Sequence, residues 1–333
     1  MMGTFTCMAD EKVSVEVGGR RLTLSNLSKI LYPPTDGSHG FSKAEVVDYY
    51  TRISPHLLPH LAGRPATFIR FPDGVEGKSF FEKNAPSHTP DWVRTVRLPS
   101  PGSGMKRDTI DYVLVDDLPT LVWAANLASL ELHVPQWTVR DDDTPVEPDL
   151  LVLDLDPGPP ATVVECTRVA LLLRERLAAD GLTGYPKTSG SKGMQMYVPL
   201  EPTSAEETSR YAKTLAEDLE KAEPKLVVSR MAKELRGGKV FVDWSQNNGA
   251  KTTVAPYSLR ARPLPTVSAP LTWDEVEACR TPQDLVFTAE DVLGRVEEHG
   301  DLLAPLLLGA GGGGRARRGR GRPERGRLPA GAR

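Results

Sequence analysis

Residues 150–158, with the sequence LLVLDLDPG, constrain the fold of this chain more than any other segment. Apolar residues run into Asp154 and Asp156, and the Pro-Gly pair that follows predicts the end of a strand. Side chains of a strand alternate between its two faces, so both aspartates are expected on one face, with Cβ atoms roughly 7 Å apart. Two carboxylates this close repel each other unless a positive charge lies between them. The segment therefore predicts a strand that ends in a site for divalent cations, which prefer oxygen ligands.

A third carboxylate follows in residues 240–243, VFVD, where apolar residues predict a second strand that ends at Asp243. If this strand neighbours the first, the three carboxylates share one site, and two ions about 3.5–4 Å apart can be held there. Acidic residues near strand ends often face solvent, however, and nucleotide-sugar transferases also use an Asp-x-Asp pattern. The carboxylates alone therefore leave several chemistries open.

The composition is that of a globular enzyme. The chain has 333 residues, of which 39% are hydrophobic and 26% charged. Its first residues contain no apolar stretch of the kind found in signal peptides, and no apolar run approaches the length of a membrane span. The cysteines Cys7, Cys166 and Cys279 are scattered, which argues against a disulfide framework or a zinc cluster. We therefore expect a cytoplasmic, nucleoid-associated protein with no membrane partner.

Charge is divided unevenly between the body of the chain and its C-terminal tail. The formal net charge is −3, but the residues from Gly309 onward contain eight arginines and one glutamate, so the rest of the chain is acidic. An acidic body with a basic tail is typical of proteins that bind nucleic acid at defined patches, although a Gly/Arg-rich tail can also serve only solubility. We expect a flexible N terminus over 1–11, a catalytic domain over 12–305 and a disordered Gly/Arg-rich tail over 306–333.

Hydrophobic periodicity and turn residues predict strands and helices in irregular alternation. The predicted strands are a hairpin at 12–24, and then 66–71, 111–115, 150–155, 194–200 and 240–244. The predicted helices are 42–61, 119–132, a long helix from after the turn at 157–160 to about 179, a helix that begins after Ser204, 272–280 and 289–298, with a loop over 72–90. This mixture predicts an α+β fold, with a mixed β-sheet core flanked by helices, rather than a doubly wound sheet.

A loop rich in glycine and serine supplies a candidate site for phosphate. In residues 187–193, KTSGSKG, backbone N–H groups and hydroxyls can point at phosphate oxygens, and Lys192 adds a positive charge. The spacing differs from a Walker A loop and a strand follows instead of a helix, so the segment alone is also compatible with a polar hairpin turn. Other candidates flank Asp243 or stand alone: Arg236, Lys239, Lys251, Arg260 and His133.

Together these segments resemble the polymerase domain of bacterial ligase D, a branch of the archaeo-eukaryotic primase superfamily active in end-joining repair. The resemblance spans about residues 12 to 300 and implies a primase-polymerase-like fold. The motifs that carry it are LSNLSKILYP (24–33), GRPATFIRFPDGVEGKSFFEKN (63–84), LELHVPQW (130–137), LDLDPG (153–158), TSGSKG (188–193) and FVDWSQNNGAKTTVAPYSLRARP (241–263).

The resemblance implies a role for each matching position. Asp154, Asp156 and Asp243 would be catalytic and hold two divalent cations, with Mn²⁺ preferred and Mg²⁺ possible. The residues that would hold the nucleoside triphosphate are Ser189, Lys192, Arg260, Arg236, His133 and Gln195.

The resemblance also implies how DNA is bound. Phe80 and Phe81 match an aromatic pair that stacks on the template base, and Lys29 and Lys43 match lysines that grip a 5′-phosphate. Lys43 follows Ser42, which forms a capping-box pattern with Glu45, so free N–H groups of that helix would reinforce the phosphate site.

Two positions depart from the pattern of the family. Ile69 stands where a lysine near the nucleotide is expected, and Gln195 stands where many relatives carry histidine. The loss of a positive contact would weaken nucleotide binding or alter the preference for ribose, but it leaves the metal site intact. Because the polymerase motifs occupy the globular part of the chain, we expect a stand-alone polymerase that relies on a separate DNA ligase.

The sequence therefore predicts a nucleotidyltransferase that extends DNA 3′ ends at 5′-phosphorylated gaps and breaks, with ribonucleotides preferred and with Ku as a partner. One alternative is a module that binds DNA ends or recruits Ku and has lost catalysis, against which the retention of all three carboxylates speaks. A nucleotide-sugar transferase is the other, but the aromatic pair and the basic tail have no role there.

Overall fold

The computed structural model describes residues 12–35, 39–99, 109–307 and 325–329. Within these ranges it contains strands and α-helices in irregular alternation. The strands are β1 (Lys12–Val17), β2 (Arg20–Ser25), β3 (Ile30–Tyr32), β4 (Phe41–Ser42), β5 (Pro65–Arg70), β6 (Phe80–Glu82), β7 (Thr95–Pro99), β8 (Thr109–Leu114), β9 (Ser129–Val134), β10 (Thr138–Val139), β11 (Pro145–Val146), β12 (Leu150–Pro157), β13 (Tyr185–Thr188), β14 (Met194–Pro199), β15 (Val227–Val228), β16 (Val240–Asp243) and β17 (Thr253–Val254). The helices are α1 (Lys43–Leu61), α2 (Leu118–Asn126), α3 (Val163–Ala179), α4 (Ala205–Ala222), α5 (Trp273–Ala278) and α6 (Ala289–His299).

A five-stranded sheet has the order β13-β14-β12-β16-β15 and is mixed, because only β15 and β16 run parallel. The central strand β12 divides its side chains between two environments. Leu151, Leu153 and Leu155 are fully buried in the core that α3 and α4 cover, whereas Leu150 and Val152 belong to a separate apolar cluster on the other face. This alternation directs Asp154 and Asp156 away from the helices, to the same face as Val152.

A six-stranded sheet has the order β17-β9-β5-β8-β7, and β6 pairs with β5 beside this row. All its pairings are antiparallel. Phe68, Leu130 and Leu132 pack into the core formed with α1 and α2. The residues between them therefore point to the opposite face. Three two-stranded hairpins (β1-β2, β3-β4 and β10-β11) complete the described sheets, and the fold is α+β as the sequence predicts.

The first long helix begins as its sequence predicts. Ser42 Oγ accepts from the backbone N–H of Glu45, and the Glu45 carboxylate accepts from the backbone N–H of Ser42 at 2.7 Å, which completes a capping box. Val46, Ile53 and Leu57 then bury one face of α1. No helix among the described residues is long and apolar enough to cross a membrane.

The predicted helix over 119–132 is wrong in its second half. The helix α2 ends at Asn126, the chain turns at Ala128 with φ of 57°, and β9 follows. The alternation in SLELHV, with Leu130 and Leu132 inward, fits a strand and outweighs the apolar run that suggested a longer helix. The predicted loop over 72–90 likewise contains the short strand β6. The other predicted elements are present to within a few residues.

The expected disorder from residue 306 onward is wrong for two stretches. Residues Ala304–Leu307 form a 3₁₀ helix in which Leu306 is buried beside Val152. Residues 325–329 lie against the body, where Gly326 pairs with Leu200. Both stretches offer apolar side chains or backbone groups that the body can bury, which a composition argument overlooks. The expected flexible N terminus over 1–11 and the other tail residues lie outside the described residues.

Candidate functional site

Four polar side chains form a row across the five-stranded sheet. Asp154 pairs with Asp243 on β16 and with Gln195 on β14, and Gln195 in turn pairs with Lys187 on β13. Directly opposed residues on neighbouring strands project to the same face of a sheet. The row therefore places two acids and a lysine side by side, on the face that the helices leave uncovered.

The three predicted carboxylates meet at one end of this row. Oxygens of Asp154, Asp156 and Asp243 all lie within 4.8 Å of one another. Burial raises the pKa of Asp154, the charges of Asp156 and Asp243 raise it further, and a hydrogen bond with Gln195 opposes the change. Burial, followed by the charge of Asp243, also raises the pKa of Asp156. The cluster, which we call the acidic wall, therefore holds more negative charge than its surroundings neutralise.

The motif that follows β16 holds Asp243 in place. Its carboxylate accepts from Ser245 N at 3.0 Å, from Ser245 Oγ at 2.5 Å and from Gln246 Nε2 at 3.0 Å, all within the 3₁₀ turn Trp244–Asn247. Asn247 ties this turn to β12, because its side chain both donates to Val152 O and accepts from Val152 N, at 2.8 Å each. The order Asp-Trp-Ser-Gln-Asn thus orients one carboxylate and fastens it beside the other two.

A cleft of about 390 Å³ opens between the acidic wall and the six-stranded sheet. It contains five of the six residues predicted to hold the triphosphate, and two of the three carboxylates. The lining residues are His133, Asp154, Asp156, Ser189, Ser191, Lys192, Gly193, Gln195, Gln246, Thr252, Thr253, Val254, Arg260 and Arg262. The sixth predicted residue, Arg236, lies outside this lining: its guanidinium covers the ring of Phe241 at 3.7 Å and donates to Met231 O.

The Ser/Gly/Lys loop forms a tight turn at the edge of the cleft. Ser189 Oγ accepts from the backbone N–H groups of Ser191 and Gly193, at 3.2 and 3.3 Å. These two N–H groups are therefore bonded inside the loop, contrary to the expectation that they point at a phosphate. A Cβ at Gly193 would lie 2.1 Å from Leu155 O, so only glycine allows the loop to pass over the end of β12. The side chain of Lys192 is exposed beside it.

Opposite the acidic wall, Glu131 holds the side chains of Arg260 and His133, and we call these three residues the cationic cluster, after Arg260. Burial lowers the pKa of His133 below its ordinary value, so its ring is an uncharged hydrogen-bonding group at neutral pH. Glu131 Oε2 lies 2.9 Å from His133 Nε2, and Glu131 Oε1 lies 3.1 Å from Arg260 Nε. Burial alone would raise the pKa of Glu131, but the hydrogen bond with His133 and the charge of Arg260 outweigh it and lower the pKa to about 2. Arg260 also donates to Ser189 O at 2.5 Å, so the cluster reaches the Ser/Gly/Lys loop.

Lys187 is a fully buried lysine at the far end of the polar row. Its Nζ donates to Gln195 Oε1 at 2.6 Å and to Ser268 Oγ at 2.5 Å. Burial lowers the pKa of Lys187 well below its ordinary value, and the charge of Arg260 lowers it further. Gln195 therefore lines the cleft, but its carbonyl oxygen is bound to Lys187 and its amide group lies towards Asp154.

The aromatic pair Phe80 and Phe81 lies on β6, with 45% and 60% of each residue exposed. Lys78 Nζ lies 5.5 Å from the ring centre of Phe80, and Lys83 Nζ lies 5.8 Å from that of Phe81. Phe81 pairs across strands with Ile69. Exposed rings beside lysines favour a surface that contacts bases and phosphates rather than a core plug.

Ile69, the position of the expected lysine, lies between two strands that bear site residues. It pairs with Phe81 on β6 and with Glu131 on β9. An apolar side chain therefore separates the aromatic pair from the cationic cluster.

The two N-terminal lysines come close together, but the helix beside them offers fewer donors than expected. The backbone N–H groups of Lys43 and Ala44 donate to Lys29 O and Leu27 O, and that of Glu45 donates to Ser42 Oγ. Free N–H groups at Lys43–Glu45 were therefore a wrong expectation, because the preceding hairpin and the capping box use them. Burial lowers the pKa of Lys43 to about 8, followed by the charges of Lys29 and Arg70, so cations do cluster there.

Two residues of the site were not singled out from the sequence. Glu131 lies two positions before His133, so a strand assignment for 129–134 would have placed both on one face. Lys187 opens the KTSGSKG segment, but its partner Ser268 is distant in sequence, and its partner Gln195 lies on the next strand. Only the pairing of β13 with β14 reveals its position.

Comparison with known proteins identifies this arrangement. A family model described as the LigD primase-polymerase domain matches residues 42–303. The chain belongs to this family. The polymerase domain of Mycobacterium tuberculosis ligase D, solved in complex with DNA, has a similar structure, with a TM-score of 0.80 and 43% identity over 87% of this chain and 99% of that one.

Curated relatives share the same region. The multifunctional non-homologous end joining protein LigD of Mycolicibacterium smegmatis is 46% identical over 287 residues, which is 86% of this chain and 36% of that protein. The bifunctional LigD of Bacillus subtilis is 34% identical over 282 residues, which is 84% of this chain and 43% of that protein. The chain thus spans less than half the length of these relatives.

Proposed function

We propose that this protein is a metal-dependent nucleotidyltransferase that extends DNA 3′ ends at 5′-phosphorylated gaps and breaks during non-homologous end joining. The observation that carries the proposal is the cleft itself. Its acidic wall can hold cations, its opposite side presents Arg260 and His133, and the loop at its edge presents Lys192. These three side chains can hold a triphosphate. A polymerase needs its cation site and its triphosphate-binding side chains in one cleft, because the cations and these side chains contact the same triphosphate.

Divalent cations fit the acidic wall. Its donors are all carboxylate oxygens, they lie within 4.8 Å of one another, and the pKa values of Asp154 and Asp156 are raised by burial and by their acidic neighbours. Asp154, Asp156 and Asp243 would hold the ions, with Mn²⁺ preferred over Mg²⁺. When bound, two such ions supply activation of a primer 3′-hydroxyl and stabilisation of the leaving pyrophosphate.

The other residues of the cleft bind and orient the nucleotide. Arg260 and His133 are held by Glu131, so they meet a triphosphate in a fixed geometry and lose little side-chain entropy on binding. Lys192 is exposed at the edge of the loop and supplies a mobile charge. We propose ribonucleotides as the preferred substrates.

DNA would approach along the six-stranded sheet. Phe80 and Phe81 offer exposed rings for a template base, and the cations around Lys29 and Lys43 suit a 5′-phosphate. The ligase D polymerase domain that resembles this chain was solved in complex with DNA, which supports the same ligand here. Ku and a DNA ligase are the protein partners that the proposal implies.

The test is manganese-dependent extension of a 5′-phosphorylated gapped duplex, with ribonucleotides and deoxyribonucleotides compared. The double variant Asp154→Ala/Asp156→Ala is expected to give no product. Glu298→Ala, whose exposed carboxyl group does not line the cleft, is the matched control and is expected to behave as wild type. Full activity in the double variant would refute the mechanism.

A second candidate is a DNA-end-binding or Ku-recruiting module with weak catalysis. The observation that favours it is Ile69, which puts an apolar side chain between the aromatic pair and the cationic cluster. This candidate predicts tight binding that depends on the 5′-phosphate, with no incorporation by the wild-type protein. The same extension assay therefore separates the two.

A further inference from the structure

Residues 325–329, Arg-Gly-Arg-Leu-Pro, lie in a groove at the end of β14. The backbone of Gly326 bonds in both directions: its N–H donates to Pro199 O at 3.1 Å, and its carbonyl accepts from Glu201 N at 2.9 Å. This is the pairing of an added strand, in which main-chain bonds provide affinity and side chains provide specificity.

Arg325 enters the most buried part of the groove. Its guanidinium donates to Leu200 O at 2.7 Å and lies 3.1 Å from Asp149 Oδ2. Asp149 is already paired through its other oxygen, because Arg64 lies 2.6 Å from Oδ1, and the side chains of all three residues are only 8 to 11% exposed. If Arg325 left, Asp149 would keep one cationic partner, so release would not leave an unpaired buried charge.

The remaining side chains also meet matching surfaces. A Cβ at Gly326 would lie 2.2 Å from Leu182 Cδ2, so any larger residue there must displace the end of the Leu182 side chain. Arg327 Nε lies 2.5 Å from Glu201 Oε2, and Leu328 packs against the core under the five-stranded sheet. Each of residues 325–328 thus has its own contact. Asp149 binds Arg325, the close approach of Leu182 favours Gly326, Glu201 binds Arg327, and an apolar surface contacts Leu328.

We propose that this groove is a binding site for arginine-glycine peptides, and that the chain's own residues 325–329 occupy it as a detachable ligand. The occupant is the same chain rather than a second copy, because Leu306, Leu307 and Arg325 line one common cavity. Leu307 and Arg325, the described residues on either side of 308–324, thus lie at the same cavity. A tethered ligand meets its site at an effective concentration in the millimolar range, so even a weak pentapeptide remains bound.

Occupation links the two sheets at the end remote from the acidic wall. Arg64 precedes β5, and Asp149 precedes β12, whose opposite end carries Asp154 and Asp156. Release would remove one of the two arginines that hold this junction.

The test uses the full chain with Gly326→Val, whose branched side chain must displace Leu182 and is therefore expected to weaken docking. A fluorescent peptide with the sequence of residues 322–330 is then titrated into the variant and into the wild-type protein. We expect the peptide to bind the variant at least tenfold more tightly than wild type, where the site is filled. The same peptide with valine in place of glycine, and the Gly326→Val chain with Asp149→Asn added, should both lose this binding. Equal binding to the two proteins, or no binding to either, would overturn the proposal.

A second measurement on the wild-type protein guards against misfolding of the variant. Hydrogen exchange at the amides of Gly326 and Glu201 should be slower than in an unfolded chain but faster than at the amides of β14, as for a segment that detaches without unfolding the sheet. Exchange at the unfolded rate would show that the segment does not dock, and exchange as slow as in β14 would show that it does not detach. Exchange that depends on protein concentration, together with dimers in light scattering, would assign the occupant to a second copy and contradict the assignment to the same chain.

Discussion

Asp154 and Glu131 lie on opposite sides of one cleft, and their surroundings shift their pKa values in opposite directions. On the five-stranded sheet, burial and two acidic neighbours raise the pKa of Asp154. On the six-stranded sheet, contacts with His133 and Arg260 lower the pKa of Glu131 to about 2 despite its burial. The cationic cluster is electrostatically complete without a ligand, whereas the acidic wall needs cations to become so.

This difference assigns different tasks to the two sides. A prearranged cluster binds a charged ligand without reorganising, and a site with excess charge of one sign binds counter-ions strongly and with them the substrate. The free energy of nucleotide binding is therefore expected to have two parts: one from the cationic cluster and one from cations held by the acidic wall. Substitutions on one side should change one contribution and spare the other.

The largest effect is expected for Asp154→Asn, which removes charge from the acidic wall and keeps the shape of the side chain. Incorporation should fall to background, because one of three carboxylates that hold the cations is lost. The metal-free variant should nevertheless be more stable than wild type at pH 8, by about 1 kcal/mol or more, since crowded negative charge is relieved. Thermal melting with and without MnCl₂ checks this: the midpoint should rise by about 2 °C, and the ion should no longer raise it.

Asp156→Asn and Glu298→Gln are the companions to that experiment. The first should repeat the result, and the second should match wild type in both activity and melting, because its carboxyl group is exposed and outside the cleft. A metal-free Asp154→Asn protein that melts below wild type would contradict the idea that the acidic wall is held against its own repulsion.

On the opposite side, Glu131→Gln should loosen His133 and Arg260 without touching the acidic wall. Loss of a buried charge-assisted contact costs roughly 1.5–3 kcal/mol, so we expect kcat/KM to fall about 10- to 100-fold. The fall should come mainly from a higher KM for the nucleotide, because the cluster positions groups that bind the triphosphate. Steady-state kinetics with saturating manganese measures both constants, and a change confined to kcat would contradict this assignment.

Glu275 offers a matched control for that substitution. Its carboxylate also binds an arginine, Arg295, but the pair lies outside the cleft lining. Glu275→Gln should therefore lower stability and leave the KM for nucleotide unchanged. Glu131→Asp should restore part of the lost affinity, since it keeps the charge.

Acid unfolding provides an independent measure of the cationic cluster. The folded-state pKa of Glu131 is about 2, below the ordinary value of 4.5, so its contribution to stability is present above about pH 4.5 and is lost as the pH falls towards 2. At neutral pH this amounts to roughly 3 kcal/mol. Denaturant unfolding at several pH values should therefore show a shallower loss of stability between pH 4.5 and 2 for Glu131→Gln. The same slope in both proteins would place the source of acid sensitivity elsewhere.

The acidic wall was accessible from the sequence because strand periodicity is a local property. Asp154 and Asp156 differ by two positions in a strongly apolar strand, so their common face follows from alternation alone. That Asp243 joins them depends on which strands pair, and LLVLDLD and VFVD do not determine that pairing by themselves. The order of motifs in a known family supplied that information. The fold class, by contrast, followed from local patterns: the mixture of predicted hairpins and helix-linked strands indicated an α+β fold.

The cationic cluster and the docked C-terminal segment were less accessible. Glu131 was assigned to a helix, because LPTLVWAANLASLEL is apolar enough to continue one, and only the turn at Ala128 ends it. Arg325 and Gly326 belong to a Gly/Arg-rich composition that usually indicates disorder, and their partners Asp149 and Leu200 are more than a hundred residues away. Contacts at such separation depend on tertiary packing that a local pattern does not encode.

The smallest effect is expected for a substitution at Ile69, which lies next to the cationic cluster. Ile69→Lys would place a positive charge on the strand position that pairs with both Phe81 and Glu131. If the nucleotide lies as we propose, the added charge should lower its KM by about fivefold, the equivalent of about 1 kcal/mol for a partly exposed ion pair. Ile69→Met is the matched control, because it has a similar size and no charge, and its KM should equal that of wild type. A higher KM in Ile69→Lys would mean that the new lysine competes with Arg260 for Glu131, so that apolar character at this position preserves the cluster.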